Sequence, residues 1–312
     1  MMSLPELSNA LTWLLTFIVG FLFVASLAPF EALGWWAGWY GRSKEDRELS
    51  RPTDLEAAAS HYVVFLSGIH SASEETFARR EIDFLNALRR RLTDTLVLEI
   101  FPYSVSNRAL TGQRFFAWFW RIALRLKVSP IAFAGFVINL RNLFQVAVSA
   151  DARYGPIYNQ GTAETIYKTL LQNGYCEGCT LTLIGYSGGG QIAVGAAPYL
   201  KDILNTDISI ISLGGIMCSD PGLLELKNLY HLVGTRDRVQ RLGYLLFPGR
   251  WPIAFYSTWN QAKAKSIIES IFFANMDHTG VRGYLDKDMT LESGQSHLEH
   301  TVETIARLIK EQ

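Results

Sequence analysis

Residues 180–200 read TLTLIGYSGGGQIAVGAAPYL, and this stretch decides the fold. An apolar run over residues 180–185 is followed at once by Gly-Tyr-Ser-Gly-Gly and then by an alanine- and glycine-rich helical stretch at 191–200. A serine on a tight turn from strand to helix has strained backbone dihedral angles, so the residues two positions away must lack side chains that would collide. The pattern predicts that Ser187 stands at the top of a sheet, beside a helix N-terminus that favours an oxyanion.

Short apolar runs alternate with helical patterns over the rest of the chain, which indicates βαβ units around a largely parallel sheet. We predict strands at 61–67, 95–101, 180–185, 207–213, 229–234 and 269–274. We predict helices at 74–92, 162–173, 191–200 and 296–310. The expected fold class is therefore α/β, with a mostly parallel sheet flanked by helices.

A serine hydroxyl is unreactive at neutral pH without a base, and candidates for the base and its acid partner follow later strands. Asp237 comes just after the strand predicted at 229–234, and His278 comes just after the strand at 269–274. Other assignments remain open at this point. Asp220 could supply the acid, and Ser187 could be a plain turn serine. The base could be His297 or His300, although their place on the closing helix predicts that both are solvated.

With nucleophile, acid and base in the order Ser187, Asp237, His278, residues 61–311 resemble the α/β-hydrolase superfamily, and its serine esterases and lipases in particular. The resemblance implies that these three residues form a catalytic triad. It also implies an oxyanion hole made by the backbone N–H of Gly188 and one from the loop after the first strand, where Ile69 is the candidate. No metal ion or organic cofactor is implied. The sequence departs from some esterases in lacking a His-Gly-Gly-Gly motif in that loop.

About sixty residues separate the second predicted strand from the next predicted helix, and such connections are usually only a few residues long. We interpret residues 103–159 as a helical cap or lid inserted into the hydrolase domain. Arg114, Arg121 and Arg125 share one helical face among aromatic residues, which is typical of a helix in a membrane interface. A cap whose aromatic residues pack on the main core is the alternative. A second apolar run, 128–140, is too short to span a bilayer.

Residues 7–30 carry no charge over 24 positions, roughly 36 Å of helix, which predicts a single-pass N-terminal transmembrane anchor. A cleaved signal peptide and a buried core helix are the alternatives. Aromatic residues and then basic residues follow, a pattern that would place the catalytic domain on the cytoplasmic side; they are Trp35, Trp36, Trp39, Tyr40, Arg42, Lys44, Arg47 and Arg51. The expected domains are thus an anchor and interfacial segment at 1–42, a polar linker at 43–60, and a hydrolase domain at 61–312.

The composition excludes several other classes of protein. The 29 Lys and Arg residues balance 29 Asp and Glu residues, which argues against a nucleic-acid partner. A hydrophobic fraction of 49% excludes a disordered chain. Three cysteines are too few for a secreted disulfide framework, and the Cys176-x-x-Cys179 motif has no second pair that would complete a zinc site.

These features together predict a membrane-anchored serine hydrolase that cleaves an acyl ester through an acyl-serine intermediate. The anchor and the aromatic insertion further suggest that the substrate is lipid-like, and that the membrane is a partner. Two other functions remain open. One is an acyltransferase or thioesterase that uses the same triad, and the other is a non-catalytic, membrane-tethered scaffold with this fold.

Overall fold

The computed structural model describes residues 59–70, 79–103 and 133–312, together with twelve separate residues between positions 6 and 23; for residues 133–138 it describes the backbone alone. The predictions made for Arg114, Arg121 and Arg125 and for the aromatic and basic residues at 35–51 lie outside this part of the chain. The boundaries proposed at residues 42 and 43 lie outside it as well, so they stay predictions.

Six strands form one sheet in which every neighbouring pair is parallel. They are β1 (His61–Leu66), β2 (Thr95–Ile100), β3 (Thr180–Tyr186), β4 (Ile208–Leu213), β5 (Asn228–Gly234) and β6 (Ile268–Phe273), and they lie in the order β2-β1-β3-β4-β5-β6. Each strand begins and ends within one residue of its predicted bounds. The predicted class, a parallel sheet flanked by helices, is confirmed.

Seven α-helices accompany the sheet within the described ranges 59–70, 79–103 and 133–312. They are α1 (Arg79–Arg91), α2 (Phe133–Ala150), α3 (Gly155–Gln172), α4 (Gly188–Leu204), α5 (Arg241–Leu246), α6 (Thr258–Ala264) and α7 (His297–Lys310). Helix α3 begins seven residues before its predicted start because Pro156 lies in its first turn, where the missing N–H costs nothing. Helix α7 begins with a capping box between Ser296 and Glu299.

The two faces of the sheet bury two separate cores. Successive side chains of a strand point to opposite faces. Tyr62 and Val64 therefore pack with α3 and α4, whereas Val63 and Phe65 pack with α1 and α7. Since both faces are covered, the strands are almost continuously apolar, which is why their bounds were readily predicted.

Helix α2 lies within the predicted insertion and extends beyond the apolar run at 128–140. That run stops at a charged residue, but the helix continues through Arg141 to Ala150. Arg141 is only 1% exposed, and its Nη1 donates hydrogen bonds to the Tyr103 carbonyl at 2.6 Å and to Asn142 Oδ1 at 3.0 Å. A buried charge is tolerated where such partners satisfy it, so the end of the apolar run does not mark the end of this helix.

The predicted single-pass N-terminal anchor is wrong. Among the residues that the structure describes, no helix combines the length and the apolar character needed to cross a membrane. Absence of charge is a weaker criterion than apolar length, and the stretch at 7–30 includes polar residues. Two of these, Thr12 and Thr16, donate a hydrogen bond from their hydroxyl to the carbonyl group one helical turn earlier. The cytoplasmic placement rested on this anchor and has no basis without it.

Candidate active site

Ser187 occupies the turn that joins β3 to α4, with φ 54° and ψ −121°. Residues with a side chain rarely adopt a positive φ, and such outliers cluster at functional sites. The flanking glycines are required sterically. A Cβ on Gly185 would lie 2.5 Å from the Cα of Gly190, and one on Gly189 would lie 2.5 Å from the carbonyl oxygen of Leu66. The Gly-x-Ser-x-Gly spacing thus lets β3 and α4 approach closely while the turn projects the serine.

Three predicted site residues lie together at the carboxyl edge of the sheet. The Nε2 atom of His278 is 2.9 Å from Ser187 Oγ, and its Nδ1 atom is 2.8 Å from Asp237 Oδ2. Asp237 follows β5 and His278 follows β6, so parallel strands deliver both to the edge where β3 ends. All three are largely shielded from water, with exposed fractions of 5% for Ser187, 7% for His278 and 0% for Asp237.

The surroundings of Asp237 set the charge and hydrogen-bond pattern of the cluster. Burial acts to raise the pKa of its carboxyl, but hydrogen bonds from His278, the Gln240 N–H and the Tyr284 hydroxyl hold that pKa below its ordinary value. The carboxylate is therefore ionised at neutral pH and accepts from His278 Nδ1. That leaves the lone pair of Nε2 facing the Ser187 hydroxyl, as a general base requires.

Tyr284 is a member of this cluster that sequence reasoning missed. Its hydroxyl donates to Asp237 Oδ2 at 2.6 Å and accepts from the Gly234 N–H at 2.7 Å. Burial, followed by the nearby Asp237 charge, raises the pKa of Tyr284 well above its ordinary value, so the group stays a donor. A tyrosine six residues after His278, in a loop, carries no sequence signal for this role.

Tyr186, the residue before the serine, holds the imidazole from one side. Its ring stacks on His278 with centroids 5.7 Å apart and an interplanar angle of 24°. Its hydroxyl donates to the His278 carbonyl at 2.8 Å. The variable position of the Gly-x-Ser-x-Gly motif therefore orients the residue that faces Ser187.

The two candidate oxyanion donors lie beside each other near the serine. Gly188 is the first residue of α4, where the N–H groups have no partner within the helix. The loop after β1 adjoins it, since a Cβ on Gly188 would lie 3.0 Å from Ile69 Cγ2. In that loop the Gly68 N–H already donates to Glu81 Oε1 at 3.1 Å, which leaves Ile69 as the better placed donor. The oxyanion role of Gly188 and Ile69 stays a prediction.

The alternative site residues are engaged elsewhere. Asp220 accepts from Gln191 Nε2 at 3.0 Å and from the Gly222 N–H at 2.8 Å, where it caps a short 3-10 helix. His297 was expected to be solvated, but it is buried, with Nδ1 3.1 Å from the Arg282 carbonyl. His300 packs its ring on Phe273 with centroids 4.9 Å apart. Tertiary packing of α7 on the sheet explains why these histidines are not free in solvent.

Helix α2 packs beside the serine turn through positions spaced by about one helical turn. Asn142 Nδ2 donates to the Ile69 carbonyl at 2.6 Å, and Val146 Cγ2 lies 2.6 Å from where a Gly188 Cβ would be. Farther along, the Ala150 carbonyl is 3.9 Å from Cys218 Sγ in the loop after β4. Helix α2, which lies within the predicted insertion, therefore contacts the loop after β1 and the start of α4, the two segments that hold the candidate oxyanion donors.

The three thiols and His231 lie outside the cluster and have structural surroundings. Cys176 Sγ and Cys179 Sγ are 3.9 Å apart, and both are free thiols, as is Cys218. His231 contacts Ser212 Oγ at 3.2 Å and Gln240 Nε2 at 2.8 Å, and burial lowers its pKa to about 3. Among the described residues, no group of three or more His, Cys, Asp and Glu side chains is arranged to hold a metal ion.

The parallel sheet, the strained serine turn and the order of acid and base along the chain define an α/β-hydrolase type of architecture. The sequence matches no protein-family model and no curated protein. Among solved structures it is similar to a putative dienelactone hydrolase from Klebsiella pneumoniae, with 10% identity, a TM-score of 0.46 and coverage of 84% of this chain and 91% of that one.

It is also similar to a hyperthermophilic esterase from Pyrobaculum calidifontis, at 13% identity, a TM-score of 0.44 and coverage of 84% of this chain and 79% of that one. A third structure, esterase PE8, has 14% identity, a TM-score of 0.44 and coverage of 84% and 96%. Likenesses this distant carry no inference about the reaction. The chemistry of this protein has to be argued from its own site.

Proposed function

We propose that this protein is a serine hydrolase that cleaves a carboxylic ester through an acyl-serine intermediate. The observation that carries the proposal is the continuous hydrogen-bonded row from the ionised Asp237 through His278 to Ser187, with donor-acceptor distances of 2.8 Å and 2.9 Å. A serine on a strained turn, with a base in reach and the base oriented by a third group, is the arrangement that activates a hydroxyl.

In the first half of the reaction His278 Nε2 takes the proton of the Ser187 hydroxyl while Oγ attacks the ester carbonyl. Asp237 stabilises the imidazolium that forms, without taking a proton itself. The N–H groups of Gly188 and Ile69 donate to the oxyanion of the tetrahedral intermediate. His278 then protonates the departing alcohol oxygen as its bond to the acyl carbon breaks. In the second half, water repeats these steps on the acyl-serine and releases the acid.

The acyl group of the substrate is proposed to be apolar. A Cβ on Gly188 would lie 2.6 Å from Val146 Cγ2 and 3.0 Å from Ile69 Cγ2, so hydrocarbon side chains border the residue next to the attacking serine. A series of p-nitrophenyl esters of increasing acyl length tests this. We expect kcat/KM to rise from acetate to hexanoate, and a monotonic fall would contradict an apolar acyl site.

Labelling with a fluorophosphonate probe tests the nucleophile directly. The wild-type protein should gain one adduct by intact mass, and Ser187→Ala should gain none and should lose at least about 10³-fold in kcat/KM. Ser212→Ala is a matched control, because Ser212 is a buried serine at the end of β4 that contacts His231 rather than His278. Its labelling should be unchanged. A folded wild-type protein that is neither labelled nor active would overturn the proposal and favour a non-catalytic scaffold.

A further inference from the structure

The loop after β1 is held by side chains from helix α1, from helix α2 and from the turn that follows β2. At its start, the Ser67 carbonyl accepts from the Tyr103 hydroxyl at 2.8 Å, and the Gly68 N–H donates to Glu81 Oε1 at 3.1 Å. These two groups belong to the same peptide unit, so that unit is held at both its oxygen and its nitrogen. At the other side, the Ile69 carbonyl accepts from Asn142 Nδ2 at 2.6 Å.

The peptide unit between Gly68 and Ile69 lies between these two held units, and its N–H is the candidate oxyanion donor. A peptide plane turns only through the φ and ψ angles on either side of it. When both neighbouring planes are held, the middle plane has little freedom left. The hydrogen bonds to the loop therefore limit the direction in which the Ile69 N–H points.

The side chains that hold the loop are themselves fixed in a buried polar network. Arg141 Nη1 donates to Asn142 Oδ1 and to the Tyr103 carbonyl, and this directs the Asn142 amide nitrogen towards Ile69. The second carboxylate oxygen of Glu81 is 3.4 Å from His70 Nε2. Glu81, Tyr103 and Asn142 are fully buried. Hydrogen bonds in such surroundings are stronger than in water, so the network holds its geometry well.

We propose that Asn142 and Glu81 are positioning residues that aim the Ile69 N–H at the oxyanion formed on the acyl carbon. The proposal rests on the function proposed above. It gives α2, which belongs to the segment inserted before β3, a part in the chemistry. Neither side chain has to touch the substrate, because both act through the main chain of the loop.

The expected signature is a loss in kcat with little change in KM. The oxyanion exists only in the intermediate and its flanking transition states, so a misdirected donor weakens those states and not the bound substrate. Removal of a whole donor from an oxyanion hole costs about 10²–10³-fold. A donor that is present but less well aimed should cost less, and we expect Asn142→Ala to lower kcat about 10- to 100-fold.

The experiment compares Asn142→Ala with Asn159→Ala in the full chain. Asn159 is also a buried asparagine, and its amide donates to the carbonyl of Ser149 in the same helix α2, far from the loop in sequence and in hydrogen bonding. Three quantities are measured for each variant: kcat and KM on a p-nitrophenyl ester, the inhibition constant of a trifluoromethyl ketone, and the melting temperature. The ketone forms a tetrahedral oxyanion on Ser187, so its affinity should weaken in Asn142→Ala in proportion to kcat. Asn159→Ala should lower only the melting temperature.

A second pair of variants decides the matter if Asn142→Ala does not fold. Glu81→Gln keeps an oxygen that accepts from the Gly68 N–H, whereas Glu81→Ala removes it. We expect Glu81→Gln to retain kcat within about threefold and Glu81→Ala to lose about tenfold or more. Full kcat and ketone affinity in Asn142→Ala, or in Glu81→Ala, would overturn this proposal while ester hydrolysis by the wild type stands. A folded but inactive wild type would overturn both proposals.

Discussion

Two groups of residues surround Ser187. They differ in the atoms that they contact and in whether the sequence identifies them. The first is the sheet edge, where Asp237 and His278 follow strands β5 and β6 and reach the serine by their side chains. The second is the loop-and-helix side, where Asn142 and Glu81 reach main-chain groups of the loop after β1. The first group is marked by residue type at strand ends. The second is not marked by residue type, because any polar side chain of the right length could serve a backbone group.

The difference indicates a division of labour. At the sheet edge His278 transfers the proton and Asp237 orients and stabilises the imidazole, so their chemistry is narrowly limited to particular residue types. Side chains on the other side only hold a peptide plane, so their identity is set by geometry. Variants of the two groups should therefore fail in different ways, and the sizes of the losses should rank accordingly.

The largest effect should come from Asp237→Asn, which tests the sheet edge. The amide would present a donor to His278 Nδ1 and favour the wrong imidazole tautomer, so we expect kcat to fall about 10³- to 10⁴-fold with little change in KM. Steady-state kinetics measure this. A loss of less than tenfold would mean that Asp237 does not orient the base. The sheet-edge group would then not have the larger effect on kcat that we expect.

The stability difference between wild type and the same variant should depend on pH. The folded-state pKa of Asp237 is depressed, so its contribution to stability is complete above its unfolded pKa of about 3.9 and is lost as the pH falls through the folded value. The gap in unfolding free energy between wild type and Asp237→Asn should be full at pH 7 and should close as the solution is acidified below pH 4. Urea unfolding at a series of pH values measures the gap. A gap that widens in acid would contradict the assignment.

An intermediate effect should come from Arg141→Lys, on the loop-and-helix side. A lysine has one compact ammonium group and lacks the planar fork of arginine, so it should not hold both Asn142 Oδ1 and the Tyr103 carbonyl in the same geometry. We expect kcat to fall about 5- to 10-fold, less than in Asn142→Ala, with the loss shared by the ketone affinity. If the melting temperature falls while kcat and the ketone affinity stay at their wild-type values, Arg141 contributes to stability alone.

The smallest effect on kcat should come from Tyr284→Phe. This variant separates the role of Asp237 itself from the role of a residue that only supports Asp237. The change removes one of the donors to Asp237 and leaves the Gly234 N–H without its acceptor. Since the carboxylate keeps its bonds from His278 and Gln240, we expect kcat to fall only about threefold and stability to fall by about 1–2 kcal/mol. Kinetics and urea unfolding on the same preparation measure both. A loss approaching that of Asp237→Asn would mean that Asp237 cannot orient His278 without the Tyr284 hydroxyl.

The errors in the sequence prediction share a physical origin. The apolar run at 128–140 gives no indication that the helix continues past Arg141, because the partners of this charge, the Tyr103 carbonyl and the Asn142 amide oxygen, are brought to it only by folding. The sequence prediction took His297 as solvated because its partners, carbonyl groups of residues 282 and 283, lie in a preceding loop. It read residues 7–30 as a membrane span by counting charges rather than continuous apolar length. An Arg-Asn pair at the end of an apolar helical run, with no acidic residue nearby in sequence, is one signal that could have flagged the buried network.

What the sequence by itself determined was local: strands buried on both faces are mostly apolar, and a serine with a positive φ needs small neighbours at fixed offsets. Both rules act over fewer than ten residues, so strand bounds and the nucleophile position follow from the letters alone. Only the tertiary structure decided the aiming of the loop after β1 and the hydroxyl that supports Asp237. Each of these depends on a hydrogen bond or a contact between residues that lie tens of positions apart, and the angle and distance of such a bond are set by how whole elements pack.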